Sequence, residues 1–158
     1  RMTMHYSYYN SPLGDLELCA SDQALLGVEI ATTKTHDEDA QHPLLAQTAA
    51  ELDEYFAGTR RSFDIPLGYE ETYGTPFMRE VWQALKNIPY GQTRTYREIA
   101  EEIGRPRACR AVGNANNKNP HMIIVPCHRV VGTSNPWGYA SGPEHKRFLL
   151  ELEGSPLS

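Results

Sequence analysis

The first part of the chain alternates between apolar and polar residues in short runs. Between residues 4 and 31 these runs are separated by turn-forming residues at 10–14 and 21–23. A period of two is typical of strands that bury one face. The pattern therefore predicts a small antiparallel meander, and the Phe-Asp-Ile sequence at 63–65 is a candidate for one further strand.

The period changes to that of a helix in the later segments, where helix start and stop residues also appear. The sequence predicts helices over residues 44–57, 75–88, 96–103, 106–115 and 143–153. The third of these begins with a capping box formed by Thr95 and Glu98, and it ends at Gly104. Because another helix follows this glycine at once, the two have the shape of a helix-turn-helix motif.

Charge divides the chain into two unlike halves. Residues 1–73 carry 4 basic and 13 acidic side chains, whereas residues 74–158 carry 11 and 7. With the glycine-flanked stretch 68–74 as a linker, this split predicts an α+β N-terminal lobe and linker at 1–73 and a second domain at 74–158. The basic domain is a candidate for contact with a polyanion, although like charges also cluster on solvated faces without a partner.

The composition is that of an ordinary globular protein, with 40% hydrophobic and 22% charged residues. No run approaches the roughly 20 apolar residues of a membrane span, and the N-terminus lacks a secretion pattern. These features predict an intracellular protein. The three cysteines at 19, 109 and 127 fit neither a disulfide scaffold nor a cysteine-rich zinc site.

One cysteine stands at the end of an apolar run. Residues 123–125 predict a strand that stops at Pro126 and presents Cys127 beside His128. A cysteine attacks as the thiolate and needs a base or cation nearby, but neighbouring side chains in extended backbone point apart unless Pro126 introduces a bend. Glu153 is one of several acidic residues that could orient the histidine. The alternative is that Cys127 is only a small buried apolar residue.

The second helix of the helix-turn-helix segment is rich in small residues. Ala108, Ala111 and Gly113 lie beside Arg107 and Arg110. Small side chains permit close approach to a narrow groove, and arginine suits phosphate. The helix is therefore a candidate reader of DNA, although similar segments also occur in proteins that never touch DNA.

Residues 119–132, together with 110–113 upstream and Gly138-Tyr139 downstream, closely resemble the O6-alkylguanine-DNA alkyltransferases, also called methylated-DNA–protein-cysteine methyltransferases. The resemblance runs almost without gaps from residue 75 to residue 154, and residues 11–16 look like the family's N-terminal lobe. It implies an α+β fold in which a ribonuclease H-like lobe, a small antiparallel sheet with a helix, precedes a mostly helical domain with a winged helix-turn-helix-like motif.

The reaction that the resemblance implies is a single-turnover DNA repair. The family flips O6-alkylguanine, and also O4-alkylthymine, out of duplex DNA and moves the alkyl group irreversibly onto a protein cysteine. The implied partner is double-stranded DNA bound through the minor groove by a monomer, with no membrane. The implied location is the cytoplasm, at the nucleoid or in the nucleus depending on the source.

The catalytic residues follow from the resemblance position by position. Cys127 matches the nucleophile, and His128 matches the base that deprotonates it through a water. Glu153 matches the acid that orients the histidine, and Asn119 braces the turn around the site. Tyr96 matches a tyrosine that crowds a phosphate and protonates the departing guanine.

The resemblance also implies substrate and DNA contacts. Tyr139 walls the pocket, the backbone of Val130 and Cys127 reads the guanine edge, and the N–H of Ala140 meets O6. Arg110 fills the gap that the flipped base leaves. The full set of implied DNA contacts is Thr95, Tyr96, Arg107, Ala108, Arg110, Ala111 and Asn116.

Two departures from the family pattern carry expectations. The loop 132–139 is about one residue shorter and contains Pro136 and Trp137, so we predict a narrow pocket that prefers methyl to bulky groups. Some relatives hold a structural zinc in the N-terminal lobe, but His5, Cys19 and His36 do not reproduce its ligand pattern. We therefore expect no metal, and no cofactor.

Two other functions remain as alternatives. A Cys-His hydrolase would use Cys127 and His128 but would turn over many times. A DNA-binding module without catalysis would use the cysteine only for packing.

Overall fold

The computed structural model of the chain describes residues 3–136, 138–155 and 157. The chain divides into two compact units, with the boundary between Tyr73 and Gly74. Across the described ranges, no helix combines the length and the apolar character needed to cross a bilayer.

The first unit is a three-stranded antiparallel sheet with one helix. Its strands β1 (His5–Ser11), β2 (Gly14–Ala20) and β3 (Leu25–Ile30) pair in sequence order, and its helix α1 is Pro43–Phe56. The core forms where apolar residues of the sheet meet those of α1. Its fully buried members include Leu16, Leu18, Leu25, Val28, Leu45, Leu52 and Tyr55.

Residues 63–65 do not form the expected strand. The backbone N–H of Asp64 donates to Glu51 Oε1 of α1 at 2.8 Å. A side chain therefore accepts the hydrogen bond that, in a strand, would go to a backbone carbonyl of the neighbouring strand. The pairing with the sheet is reduced to one isolated parallel bridge between Leu25 and Leu67. The strand prediction at 63–65 was therefore wrong.

The second unit is mostly helical. Its elements are α2 (Pro76–Lys86), β4 (Arg94–Thr95), α3 (Tyr96–Glu102), α4 (Cys109–Asn117), β5 (Val130–Val131) and α5 (Pro143–Leu152). Thr75 caps α2, whose buried Trp82 donates from its indole N–H to the Ala115 carbonyl of α4 at 2.7 Å. A small sheet in the first unit and a helical second unit confirm the predicted α+β class.

The helices α3 and α4 form the predicted helix-turn-helix. The capping box is present, since Thr95 accepts from the Glu98 N–H and the Glu98 carboxylate accepts from the Thr95 N–H. The second helix starts later than predicted, at Cys109, because Ala108 N–H donates to the Arg105 carbonyl and closes a separate turn. Residues 106 and 107 therefore precede α4.

Residues 123–125 form a turn in place of the predicted strand. Asn119 spans this turn: its Oδ1 accepts from His121 N–H at 3.0 Å and its Nδ2 donates to the Val125 carbonyl at 2.8 Å. Ile123 has a φ of 74°, in the left-handed region that β-branched residues rarely adopt. The N–H groups of Ile124 and Val125 donate to the carbonyls of Met122 and His121, both at 2.9 Å, so this run closes on itself and does not pair with a strand.

Candidate active site

Cys127 begins a short 3₁₀ turn, Cys127–Arg129, directly after Pro126. The bend that the proline suggested is therefore present, and the cysteine and His128 occupy the same turn. Cys127 is 7% exposed and His128 is fully buried. The Cys127 thiol lies 3.7 Å from the Tyr139 hydroxyl.

His128 is held by a buried carboxylate. Its Nε2 lies 2.7 Å from Glu153 Oε2, at the C-terminal end of α5. Arg129 binds the same carboxylate twice, through Nε at 2.7 Å and Nη2 at 3.0 Å, and its Nη1 donates to the Ile88 carbonyl at 2.8 Å. A buried carboxylate with two charge-assisted donors from one arginine is fixed in orientation, and it fixes the imidazole in turn.

The hydrogen bonds determine where the protons lie. Burial alone would raise the pKa of Glu153, but the bonds from His128 and Arg129 outweigh it and bring the pKa to about 2. Burial lowers the pKa of His128, so the ring is neutral. A carboxylate can only accept, which places the ring proton on Nε2 and leaves a lone pair on Nδ1. His128 Nδ1 has no hydrogen-bond partner among the residues that the structure describes.

Burial also raises the pKa of the Cys127 thiol, although Asn119, Tyr139 and Lys146 act in the opposite direction. The resting group is therefore a protonated thiol. Such a thiol resists oxidation, and it becomes a nucleophile only when a base removes its proton.

Lys146 is a buried cation that the sequence reading missed. Its Nζ donates to the Val130 carbonyl at 2.6 Å and to the Gly138 carbonyl at 3.0 Å, which ties the two ends of the loop 130–138 together. Burial lowers its pKa to about 8. Its positive charge is among the influences that lower the pKa of Cys127.

Arg129 was missed as well, and both residues left a signal in the sequence. Lys146 shares a helical face of α5 with Leu149, Leu150 and Glu153, at spacings of three, four and seven. Two charged residues on the buried face of a helix indicate a polar network. Arg129 directly follows the Cys-His pair, and a basic residue there needs an acidic partner once it is buried.

The remaining expected site residues lie around this network. Tyr96, at the start of α3, is half-buried, and its pKa is raised first by burial and then by the nearby Cys127. The Val130 side chain is buried in β5, and its carbonyl accepts from Lys146. Ala140 is exposed in a turn that precedes α5.

The expected DNA contacts separate into an exposed group and one buried residue. Arg107, Arg110 and Ala111 are exposed, and Thr95, Tyr96 and Ala108 are half-buried. Asn116 is 2% exposed, and its Nδ2 donates to the Cys127 carbonyl at 3.4 Å. It lies on the inward face of α4 with Val112 and Ala115, so its expected place among the DNA contacts is corrected to a place behind the cysteine.

Comparison with known proteins identifies the family. Residues 76–155 match the DNA-binding domain of 6-O-methylguanine DNA methyltransferase, and residues 4–69 match its ribonuclease-like domain. The chain belongs to the methylated-DNA–protein-cysteine methyltransferase family. A methyltransferase of this family from Methanosarcina acetivorans is 47% identical over 96% of this chain and 99% of the relative. The constitutive methyltransferase from Bacillus subtilis is 42% identical over 94% of each chain.

Solved structures of methyltransferases agree with this assignment. The O6-methylguanine methyltransferase of Mycobacterium tuberculosis has a TM-score of 0.86 at 41% identity, over 99% of this chain and 96% of that one. Mycobacterium tuberculosis OGT in complex with DNA has a TM-score of 0.85 at 44% identity, over 96% and 95%. The predicted order of a ribonuclease-like lobe and a DNA-binding domain is confirmed.

Proposed function

We propose that Cys127 accepts the alkyl group of O6-alkylguanine, and of O4-alkylthymine, from duplex DNA. DNA repair by alkyl transfer to a cysteine is the function that the family assignment gives to this chain. The observation that carries the assignment to Cys127 is the buried relay of hydrogen bonds behind it. Glu153 holds His128 through Nε2, and the opposite nitrogen of the ring is free to take a proton.

The transfer begins when His128 Nδ1 takes the Cys127 proton through a bridging water. The thiolate then attacks the alkyl carbon in line with the carbon–oxygen bond, a sulfur–carbon bond forms, and the departing guanine keeps the electron pair of the broken bond. The Tyr96 hydroxyl gives its proton to this leaving group, and the proton that His128 took from Cys127 passes through water to Tyr96. The products are neutral guanine, a thioether on Cys127, and Tyr96 and His128 in their original protonation states.

The network around Glu153 supports this step electrostatically. His128 becomes a cation when it takes the proton, and Glu153 is an anion that already faces it at 2.7 Å. Arg129 keeps that carboxylate ionised and oriented. The charge that develops during transfer therefore meets a partner that needs no rearrangement.

The same chemistry limits each protein to one turnover. A thioether has no easy hydrolytic route, because water would have to displace a thiolate from an unactivated alkyl carbon. The alkylated protein is then spent, in the cytoplasm or wherever the damaged DNA is found.

The match to the family's DNA-binding domain supports DNA binding by the second unit, and we assign this contact to the exposed side of α4 and the turn before it. The small residues Ala108 and Ala111 allow the helix to approach the minor groove, and Arg107 meets phosphate. Arg110 occupies the space of the flipped base. Tyr139, the Val130 backbone and the Ala140 N–H line the pocket that receives it, and one monomer is sufficient for these contacts.

The proposal is tested with radiolabelled O6-methylguanine in duplex DNA. We expect uptake to saturate at one methyl per protein, to disappear in Cys127→Ala and to persist in Cys109→Ala, the matched control. Cys127→Ala should still bind the DNA. Multiple turnovers would support the hydrolase, and uptake by Cys127→Ala would overturn the assignment of the acceptor.

A further inference from the structure

Two histidines and an aspartate converge at one end of the sheet in the first unit. His5 starts β1, Asp22 lies in the turn between β2 and β3, and His42 caps α1. Their ligand atoms all lie within 4.8 Å of one another. From the sequence we expected no metal, because His5 was compared only with Cys19 and His36. Asp22 and His42 come from separate segments and meet His5 only in the fold.

The geometry suits a tetrahedral ion. The Nε2 atoms of His5 and His42 lie 2.8 and 3.8 Å from the same oxygen, Asp22 Oδ1. Two ligand atoms that each lie about 2.0–2.1 Å from a tetrahedral ion are separated by about 3.4 Å, a value between these two distances. The two imidazole rings are stacked with their centroids 4.2 Å apart, and their Nε2 atoms face the same Asp22 oxygen.

A second carboxylate orients one of the ligands. Asp39 Oδ2 lies 3.1 Å from His5 Nδ1, the ring nitrogen opposite to the one that faces Asp22. Such a carboxylate fixes the tautomer that presents Nε2 to a metal, as outer carboxylates do for metal-bound histidines. An ion at Nε2 takes the place of the proton that otherwise lies between His5 and Asp22.

The site is open to solvent on one side. The Asp22 side chain is 72% exposed, whereas those of His5 and His42 are 21% and 12% exposed. An ion can therefore enter from solution and keep a water as its fourth ligand. Two imidazoles, one carboxylate and a water are a set that Zn²⁺ accepts.

We infer that His5, Asp22 and His42 bind one Zn²⁺ ion in the N-terminal unit, with Asp39 supporting His5. The ion joins the beginnings of β1 and α1 to the turn between β2 and β3. Zinc binding breaks one weak hydrogen bond. This is the bond in which His42 Nδ1 accepts from the Leu44 N–H at 3.3 Å. With the ion on Nε2, that nitrogen carries a proton and the Leu44 bond is lost.

The test is a calorimetric titration of the full chain, previously treated with a chelator, with Zn²⁺. We expect one ion per protein, and affinity at least tenfold weaker in Asp22→Asn and in His42→Ala. Asp39→Asn should weaken binding by about 10- to 100-fold. His36→Ala is the matched control, because His36 also faces a carboxylate, Glu17, at 3.3 Å but is not one of the proposed ligands. The Zn²⁺ affinity of this variant should be unchanged.

Two further measurements keep the outcome decisive. Asp22→Asn alters an exposed side chain, so it tests the site even if His42→Ala frays the start of α1. On addition of Zn²⁺ the Leu44 amide resonance should shift, and Co²⁺ in its place should give no thiolate charge-transfer band. Wild-type affinity in both ligand variants, a thiolate band, or absence of binding by the wild-type protein would overturn the site.

Discussion

Two histidine–carboxylate pairs in this protein have nearly the same length and unlike surroundings. His128 lies 2.7 Å from Glu153 with both side chains inaccessible to solvent. His5 lies 2.8 Å from Asp22, whose side chain is 72% exposed. Distance therefore does not distinguish the pairs, and burial does.

Burial decides what each pair is able to do. Around Glu153 there is little water to screen charge, so hydrogen bonds move the pKa of the carboxylate to about 2 and set the tautomer of His128. Asp22 faces solvent, where an ion pair contributes about 0–1 kcal/mol to stability and where an ion from solution can enter. One arrangement suits proton transfer within a closed site, and the other suits exchange with the solvent.

The largest expected effect appears when the carboxylate of each pair is replaced by the corresponding amide. Glu153→Gln leaves Arg129 buried without its anion, so we expect a loss of about 3–5 kcal/mol in the free energy of unfolding. The rate of methyl transfer should fall by about 10²–10⁴, because His128 loses the group that stabilises its charge. Single-turnover kinetics and urea denaturation measure the two effects.

Asp22→Asn is the control for that comparison. We expect its free energy of unfolding, without added metal, to stay within about 0.5 kcal/mol of the wild type and its transfer rate to be unchanged. Equal losses in the two variants would show that burial does not separate the pairs.

The next effect is a pH dependence that Lys146 imposes. Its pKa is lowered by burial from 10.5 to about 8, so between these pH values the unfolded chain holds a proton that the folded chain has lost. Stability then rises with pH across that interval, and the cost of the buried charge is fully present below about pH 8. We expect the unfolding free energy of the wild type to rise relative to Lys146→Met from pH 8 to 10.5. Parallel curves for the two proteins would refute this.

A smaller effect is expected on the exposed side of α4. Arg110→Ala and Arg107→Ala should each weaken binding to undamaged duplex DNA. Arg107→Ala, which removes the proposed phosphate contact, should also lower the slope of log affinity against log salt by about 0.9. Arg61→Ala, in the acidic half of the chain, should leave both quantities unchanged. Unaltered affinity in both variants, with an unaltered slope in Arg107→Ala, would remove this surface from the DNA interface.

The smallest effect concerns the size of the alkyl group. We expect O6-benzylguanine to react more slowly than O6-methylguanine, because Lys146 fixes the Gly138 end of a short loop. Trp137, the other feature behind this expectation, lies outside the described residues. Equal single-turnover rates for the two bases would contradict the prediction.

Sequence patterns were reliable for the helices, whose hydrogen bonds join residues only a few positions apart. The capping box at Thr95 and the helix periods depend on residues a few positions apart, and the five predicted helices formed, although α4 begins later than predicted, at Cys109. The run 123–125 has strand character, but Asn119 closes it into a turn. That outcome depends on a side chain outside the run, which periodicity does not register.

Residue roles were harder to predict wherever they depend on contacts distant in sequence. Arg129 and Glu153 are 24 positions apart and form the centre of the buried network. Asn116 belongs to a helix that was expected to face DNA, but its place on the inner face follows from how α4 packs. The chemistry of Cys127 and His128 was visible in sequence, whereas the charges that tune them required the fold.

The central claim is that Cys127 receives the alkyl group, and intact-protein mass spectrometry with peptide mapping tests it most directly. The wild-type protein is incubated with excess duplex DNA that contains one O6-methylguanine. The account predicts one added methyl per protein, on Cys127 alone, with no further increase over time. A methyl on another residue, or repair of the DNA with no change in protein mass, would contradict it.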